Sequence, residues 1–422
     1  MATSTAVWSV PRLIRNVVTQ QLKTSNANSS RYSPHDLLSR FDQSSTLTAK
    51  QSLKQHRFFM YEEHAHVKLH DDQITPTVTV PPNELAKLLQ SNRNASDFNH
   101  CYWTCPVASV APALLNEFQW HKKLHDASEH ELLDPRGPSL WMGTSGSGTQ
   151  CHYDVANNII VQLHGSKRIR CFPPSVGVYK LHVFPDAHPR ARKSQVDFDN
   201  SNDDTAQRRR FPHFVDVPQP TLDVILRPGD ALEIPAFWFH HVENGHILSN
   251  NDVKDHKGDD APSVSLNSFA LSRPMMLAQQ IFQKASRPLG RATINAELVS
   301  PILKALGTTL IRGLNVVDHG KEEDFIRRYL VDARYSPLVN NDENKTARDN
   351  NNHTPQTLTN EQLQQVHSCV ERILPDFHLL MEGEGSDGTG IALLVGLHLL
   401  ELWAVEVVGA QLVAKAWDEA LS

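Results

Sequence analysis

Three residues with the chemistry to hold a metal ion stand out in this chain: His152 and Asp154, one residue apart, and His240 far downstream. Two imidazoles and one carboxylate are the ligand set of the facial triad in non-haem Fe(II) oxygenases, which leaves the other iron positions open for co-substrate and oxygen. An isolated histidine–x–aspartate pair is a weak signal in a chain with 23 histidines. A lone histidine in an apolar strand is more often a satisfied core residue than a ligand. The signal lies in the joint arrangement. Asn158 comes six residues after His152 and Lys167 fifteen after it, followed by Pro228-Gly229-Asp230 and by Ile234-Pro235-Ala236-Phe237-Trp238-Phe239-His240.

Positioning these groups requires strands. From Cys151 onward the pattern predicts strands over 157–164, 168–172, 222–226, 231–234, 237–243 and 264–271, with Gly165, Pro173-Pro174, Pro228-Gly229 and Asn244-Gly245 at the turns. Short strands in close succession predict a sandwich or barrel. Side chains alternate across a strand. A continuous strand would therefore place His152, Asp154 and Asn158 on one face, and Ile159, Val161 and Leu163 on the other. The next strand places Lys167 beside Ile169 and Cys171, with Arg168 and Arg170 facing away. An ammonium among apolar neighbours needs an anionic partner, and a dicarboxylate co-substrate would supply one. Asn267 shares a face with Phe269 and Leu271 and is expected to reach into the cavity. Apolar and aromatic side chains around His240 would keep bulk water from the metal.

The rest of the chain frames this core. Its 422 residues can bury a sizeable interior, and 40% hydrophobic with 21% charged residues is ordinary for a soluble globular protein. A net charge of −6, with a pI near 6.4 and a mean hydropathy of −0.40, argues against a generally basic nucleic-acid binder. Five cysteines without a C-x-x-C pair favour a reduced compartment, hence an intracellular protein of cytoplasm or nucleus. The first 35 residues lack Asp and Glu and carry Arg12, Arg15, Lys23 and Arg31, which suits a mitochondrial-type presequence or, alternatively, a polar tail. Gly390 to Trp417 is long enough to span a bilayer, yet His398, Glu401, Glu406, Gln411 and Lys415 interrupt it, so a buried or dimer-forming helix is expected and no membrane partner.

Residues 58–61 and 77–80 read as strands and Glu84 to Leu89 as helix. After Arg273-Pro274 the pattern turns helical, over 276–284, 296–305 and 322–332, then 358–373 and 389–420. The expected organisation is a tail over 1–35, a catalytic domain over 36–275, a dimerisation-type helical region over 276–340, a linker over 341–357 and a helical extension over 358–422. His64, His66 and His70, and the pair His121 and His125, read as surface histidines. Arg190, Arg192, Lys193 and Arg208 to Arg210 form a basic segment that suits phosphate contacts, although charge runs are usually solvated loops.

The ordered set around His152, Asp154, Asn158, Lys167 and His240 resembles the JmjC family of Fe(II)/2-oxoglutarate oxygenases over roughly residues 100–335. Cys151-His152-Tyr153-Asp154-Val155, the run 234–240, and Phe325 to Leu330 with Ala333-Arg334-Tyr335-Ser336 are most similar to the tRNA wybutosine-synthesising hydroxylases within it. The factor-inhibiting-HIF asparaginyl hydroxylases come next, and Ser194 to Asn200 with Arg210-Phe211-Pro212 is similar to both groups. The resemblance implies an all-β core, a double-stranded β-helix or cupin-like jelly roll, with flanking and C-terminal helices. It implies that His152, Asp154 and His240, rather than His241, bind Fe(II). Lys167 would pair with the distal carboxylate of 2-oxoglutarate, Asn158 and Asn267 would hold the co-substrate, and Thr149 and Tyr102 would offer it hydroxyls. Oxidative decarboxylation of 2-oxoglutarate with O2 would then be coupled to hydroxylation of a substrate C–H bond. The leading substrate is the wybutosine side chain of tRNA(Phe), in a homodimeric enzyme. The alternative is a protein Asn, Asp or His side chain. Histone demethylation and a non-enzymatic cupin-like binding module are weaker rivals. The long segment 246–262 and the region beyond 340 have no counterpart in the resemblance.

Overall fold

The computed structural model describes residues 9–17, 31–53, 75–90, 99–118, 122, 124–125, 133–188, 190–196, 198, 205–245, 261–285, 296–338, 357–383, 387–409 and 412–422. The strand expected at 58–61, the histidines 64, 66, 70 and 121, the linker at 341–356 and most of the 246–262 segment lie outside these residues. The chain divides into two compact units, one drawing on 1–61, 73–172 and 220–272, the other on 173–219 and 273–422.

The first unit is an antiparallel β structure with twelve strands among its described residues: β1 (Arg12–Ile14), β2 (Leu47–Leu53), β3 (Thr77–Val80), β4 (Asn99–Pro106), β5 (Ser139–Gly143), β6 (Gly148–Tyr153), β7 (Asn157–His164), β8 (Lys167–Phe172), β9 (Leu222–Leu226), β10 (Ala231–Ile234), β11 (Phe239–Asn244) and β12 (Ser263–Ala270). Eight pair in the order β1-β10-β7-β12-β5-β4-β2-β3, and four in the order β6-β11-β8-β9. This is the cupin-like jelly roll that the resemblance implies, within the sandwich or barrel class that the succession of short strands predicts. Its larger sheet extends further than expected, because β2 and β4, for which no strand was expected, join it together with the expected strand β3.

Two apolar layers show which face of each strand is which. Ile160, Leu232 and Ile234 of the larger sheet pack with Ile169, Cys171, Leu226, Trp238 and Val242 of the smaller, so these side chains fill the space between the sheets. The alternate residues Ile159, Val161, Leu163, Val264 and Leu266 pack on the outer face against Leu37, Leu38, Leu85 and Leu89 from the helices Pro34–Ser39 and Pro82–Leu89. Burying a Leu, Ile or Val side chain is worth about 1.5–3 kcal/mol, so a one-residue slip in β7 or β12 would forfeit both layers at once. On β1, Arg12 makes a two-pronged ion pair with Glu233, and Arg15 bonds Asp230. Two of the cations that give the N-terminal segment its presequence-like composition are thus engaged by the sheet.

The second unit is helical, and its boundaries depart from expectation where local signals were missed. The helix expected over 358–373 is Asn360–Glu371, started by a Thr359–Gln362 capping box. A separate helix, Leu374–Gly383, follows with Pro375 in its first turn. The single helix expected over 389–420 is two, Gly388–Val408 and Val413–Ala420, broken where Gly409 takes a positive φ of 77°. Gly388–Val408 is long and apolar enough to cross a membrane, and 61% of its most apolar window is buried inside the protein, as in a core helix. The helix expected over 322–332 becomes Glu322–Ile326 running into a π-helical stretch, Arg327–Tyr335.

Candidate functional site

His152 lies at the end of β6 directly opposite His240 on β11, so both imidazoles emerge on one side of the smaller sheet, their ring centres 4.2 Å apart. The adjacent interior residues Trp238 and Val242 place His240 between the sheets. His241 points the other way, where it bonds Glu243 beside the Arg170–Glu243 ion pair. Asp154 follows the last residue of β6, with a carboxylate oxygen 3.7 Å from His240 Nε2. One ligand atom from each of His152, Asp154 and His240 lies within 4.8 Å of the others.

The orientation of both rings is set by main chain. His152 Nδ1 lies 2.9 Å from the carbonyl of Gln150, and His240 Nδ1 lies 3.1 Å from that of Trp238. A carbonyl can only accept, so each Nδ1 carries the proton and each Nε2 keeps its lone pair for a metal. The Asp154 segment is tied to the His240 segment by the Phe237 N–H, which donates to the Asp154 carbonyl at 2.7 Å. Phe237 itself adopts φ 65°, a left-handed conformation costing a non-glycine residue about 1–3 kcal/mol. The Phe237 ring stacks on Tyr153, 5.7 Å away. Residues 236–237 form this turn, and the strand expected to begin at 237 begins at Phe239.

The expectation of a single strand carrying His152, Asp154 and Asn158 is corrected. The chain leaves the smaller sheet after Tyr153 and enters the larger at Asn157, turning through residues whose polar groups are taken up locally. The Ser272 hydroxyl donates to the Val155 carbonyl, and the Ala236 N–H donates to Asn157 Oδ1. Asn158 nonetheless shares the interior face of β7 with Ile160. It is buried, and its Oδ1 has no hydrogen-bond partner among the described residues.

Lys167 shares the interior face of β8 with Ile169 and Cys171 and is 3% exposed. Its ammonium donates to the Ser265 hydroxyl at 2.6 Å, and Ser265 donates in turn to Asn267 Oδ1 at 3.3 Å. No carboxylate accompanies it among the described residues, and burial pushes the ammonium down to about 7. Asn267 thus lies in the interior as expected, but Leu271 does not share its face: β12 ends at Ala270, and Leu271 is exposed. The Tyr102 and Thr149 hydroxyls are 3.3 Å apart, with burial and its apolar surroundings pushing the Tyr102 phenol up to about 12. Arg168 and Arg170, expected to face away from Lys167, are paired with Asp223 and Glu243. His125 bonds Ser268.

Two interior residues were missed in the sequence. Ser265, the partner of Lys167, is visible only as the alternate neighbour of Asn267. Trp141 lies directly opposite it on β5. Pairing across strands far apart in sequence selects both.

Comparisons with known proteins agree with this architecture. The profile of the cupin-like domain family matches residues 4–269, more than half of the chain. Among curated relatives, the chain is similar to the lysine-specific demethylase JMJ32 of Arabidopsis thaliana, 27% identical over 179 residues that cover 36% of this chain and 49% of that protein. It is similar to JmjC domain-containing protein F of Dictyostelium discoideum, 28% identical over 32% of this chain and 30% of that protein. HSPB1-associated protein 1 of Homo sapiens is 33% identical over 25% of this chain and 20% of its own length. The matched stretches thus span about half or less of these relatives. With the sandwich, the ligand triad and the family profile falling on the same stretch, the chain belongs to the cupin-like domain family and carries a domain of its JmjC type.

Proposed function

We propose that this protein is an Fe(II)- and 2-oxoglutarate-dependent hydroxylase. The observation that carries the reading is the pairing, in one interior, of a two-imidazole, one-carboxylate cluster with a buried lysine that has no acidic partner among the described residues. Iron, when bound, would supply the redox chemistry that couples decarboxylation of the 2-oxo acid to oxidation of a C–H bond. The chain's own residues would do the rest. His152, Asp154 and His240 would hold the ion through Nε2 and carboxylate oxygen. Lys167 would receive the distal carboxylate of the co-substrate, regaining full charge beside it, while Asn158, Asn267, Thr149 and Tyr102 offer polar contacts. Ile160, Ile169, Leu232 and Ile234 would keep water out.

Incubation with Fe(II), 2-oxoglutarate and O2 is expected to yield succinate, and His152→Ala and Asp154→Ala are expected to abolish it along with tight metal binding. No succinate from the parent chain, or equal amounts from the variants, would sink the reading.

For the substrate, the wybutosine side chain of tRNA(Phe) remains the leading reading. A feature of the second unit favours an RNA partner. The Arg328 guanidinium lies 5.0 Å from the Tyr179 ring centre, with Lys180 at 5.9 Å and Tyr329 edge-on at 4.6 Å, and Arg208 to Arg210 are exposed. Cations layered on aromatic rings suit backbone and base contacts of single-stranded nucleic acid. Mass spectrometry of nucleosides from tRNA(Phe) treated with the enzyme would show a hydroxylated wybutosine; an unchanged nucleoside refutes this substrate. Hydroxylation of protein side chains is the alternative. The demethylase names of relatives such as JMJ32 favour, within it, methyl-lysine peptides, for which formaldehyde release is the readout.

A further inference from the structure

The interior of the sandwich holds a polar group that none of the roles above uses. Trp141 stands on β5 in register with Ser265 on β12, so the two side chains lie next to each other on the same face. Ser265 is the residue that Lys167 holds. On its other side, the Trp141 ring lies 5.9 Å from that of Tyr102, whose hydroxyl meets Thr149. The outer face of β5 belongs to Leu140 and Met142, which pack in the opposite layer, so Trp141 is committed to the interior. Its ring is partly exposed, yet its indole nitrogen is buried and has no acceptor among the described residues. An indole N–H can only donate, and burying it unpaired is costly. Neither hydroxyl in register with Trp141 accepts from it: Thr104 on β4 makes no bond to the indole, and the Ser265 hydroxyl already links Lys167 to Asn267.

We propose that the Trp141 indole N–H is a positioning donor for the distal carboxylate of the acidic co-substrate, sharing that group with Lys167. A carboxylate has lone pairs for several donors, and an ammonium and an indole converging from β8 and β5 hold it by two different oxygen directions. A point charge alone attracts a carboxylate without fixing its rotation; an indole N–H on a rigid, packed ring adds direction. Trp141 therefore selects for a dicarboxylate 2-oxo acid of this length and against one ending in a methyl group.

This inference rests on Lys167 receiving a carboxylate, and the test separates the two. Equilibrium binding to the Mn(II)-loaded protein is measured by calorimetry for 2-oxoglutarate and for 2-oxovalerate, which lacks the distal carboxylate. Trp141→Phe keeps an aromatic ring and removes the N–H. It is expected to weaken 2-oxoglutarate about tenfold, in line with loss of one hydrogen bond to a charged group, to leave 2-oxovalerate unchanged, and to leave Mn(II) affinity unchanged. Trp141→Leu serves the same comparison should the phenylalanine variant misfold. Equal weakening of both acids makes Trp141 a packing residue, and no weakening of either makes it a bystander; each result overturns the proposal. If Lys167→Met also leaves 2-oxoglutarate affinity intact, the co-substrate site itself is misplaced.

Discussion

Lys167 in the β sandwich and Arg334 in the helical unit are both buried cations, 3% exposed each, and they are housed in opposite ways. Arg334 is surrounded by acid. Its guanidinium lies 3.2 Å from Asp186 and 3.1 Å from Glu401, His398 adds a contact to Asp186 at 3.2 Å, and the Asp186 N–H donates to Glu401 at 2.7 Å. Arginine also donates to the Phe184 carbonyl. Lys167 has one neutral hydroxyl. Buried charges persist when they are paired, so the Arg334 cluster carries its own counter-charges, whereas under the proposed function Lys167 would gain one from the co-substrate. On that reading the contrast is between a charge kept for folding and one kept for a ligand.

The largest test of this contrast is Arg334→Leu. It leaves Glu401 and Asp186 buried with only the His398 contact to Asp186 and is expected to cost about 3–5 kcal/mol in denaturant unfolding; a loss under about 1 kcal/mol would erase the distinction. Lys167→Met should do the reverse, leaving the fold as stable or more so while weakening 2-oxoglutarate binding by roughly 10–100-fold. Should this variant unfold as readily as Arg334→Leu, the lysine is structural after all.

The two sites also differ in their response to pH. Lys167 titrates near 7 in the ligand-free protein, and only its protonated form attracts a carboxylate. The Kd for 2-oxoglutarate is therefore expected to rise as pH increases through 7, by up to about tenfold per unit, when measured by calorimetry between pH 6 and 8. A flat Kd would show that the ammonium stays charged without its ligand. The smallest effect belongs to Glu401, whose burial, only partly offset by the Arg334 charge and reinforced by that of Asp186, holds its carboxyl well above the usual range. A raised acid stabilises the fold fully below its unfolded value and loses that contribution as pH climbs toward the folded one. Glu401→Gln should thus flatten the decline in urea midpoint from pH 5 to 8, changing stability at pH 5 by less than about 1 kcal/mol. An undiminished pH slope would assign the decline elsewhere.

What the sequence made legible follows the range of the interactions involved. His152, Asp154 and His240 could be read as candidate ligands because each sits in a short motif, and Lys167 could be placed because alternation along a six-residue strand is local. Asn158 was placed in the interior by a count that ran through a turn; residues 154–156 are not strand, and the parity survived only because the turn kept it. Ser265 and Trp141 were hidden, since their adjacency depends on the register between β5 and β12. Glu401 was visible as an interruption in an apolar run, but its partner Asp186 lies 215 residues away, and nothing local names it.

The tethering of both imidazoles to carbonyls two residues back has a consequence for how this site tolerates genetic change. The acceptors belong to the peptide groups of Gln150 and Trp238, not to their side chains. Replacing either side chain leaves its carbonyl in place, so the ring orientation of each ligand is inherited with the strand rather than encoded by a second residue. Position 150, half-buried, is therefore free to drift, provided the backbone keeps its course, whereas Trp238 is held in place by its packing between the sheets.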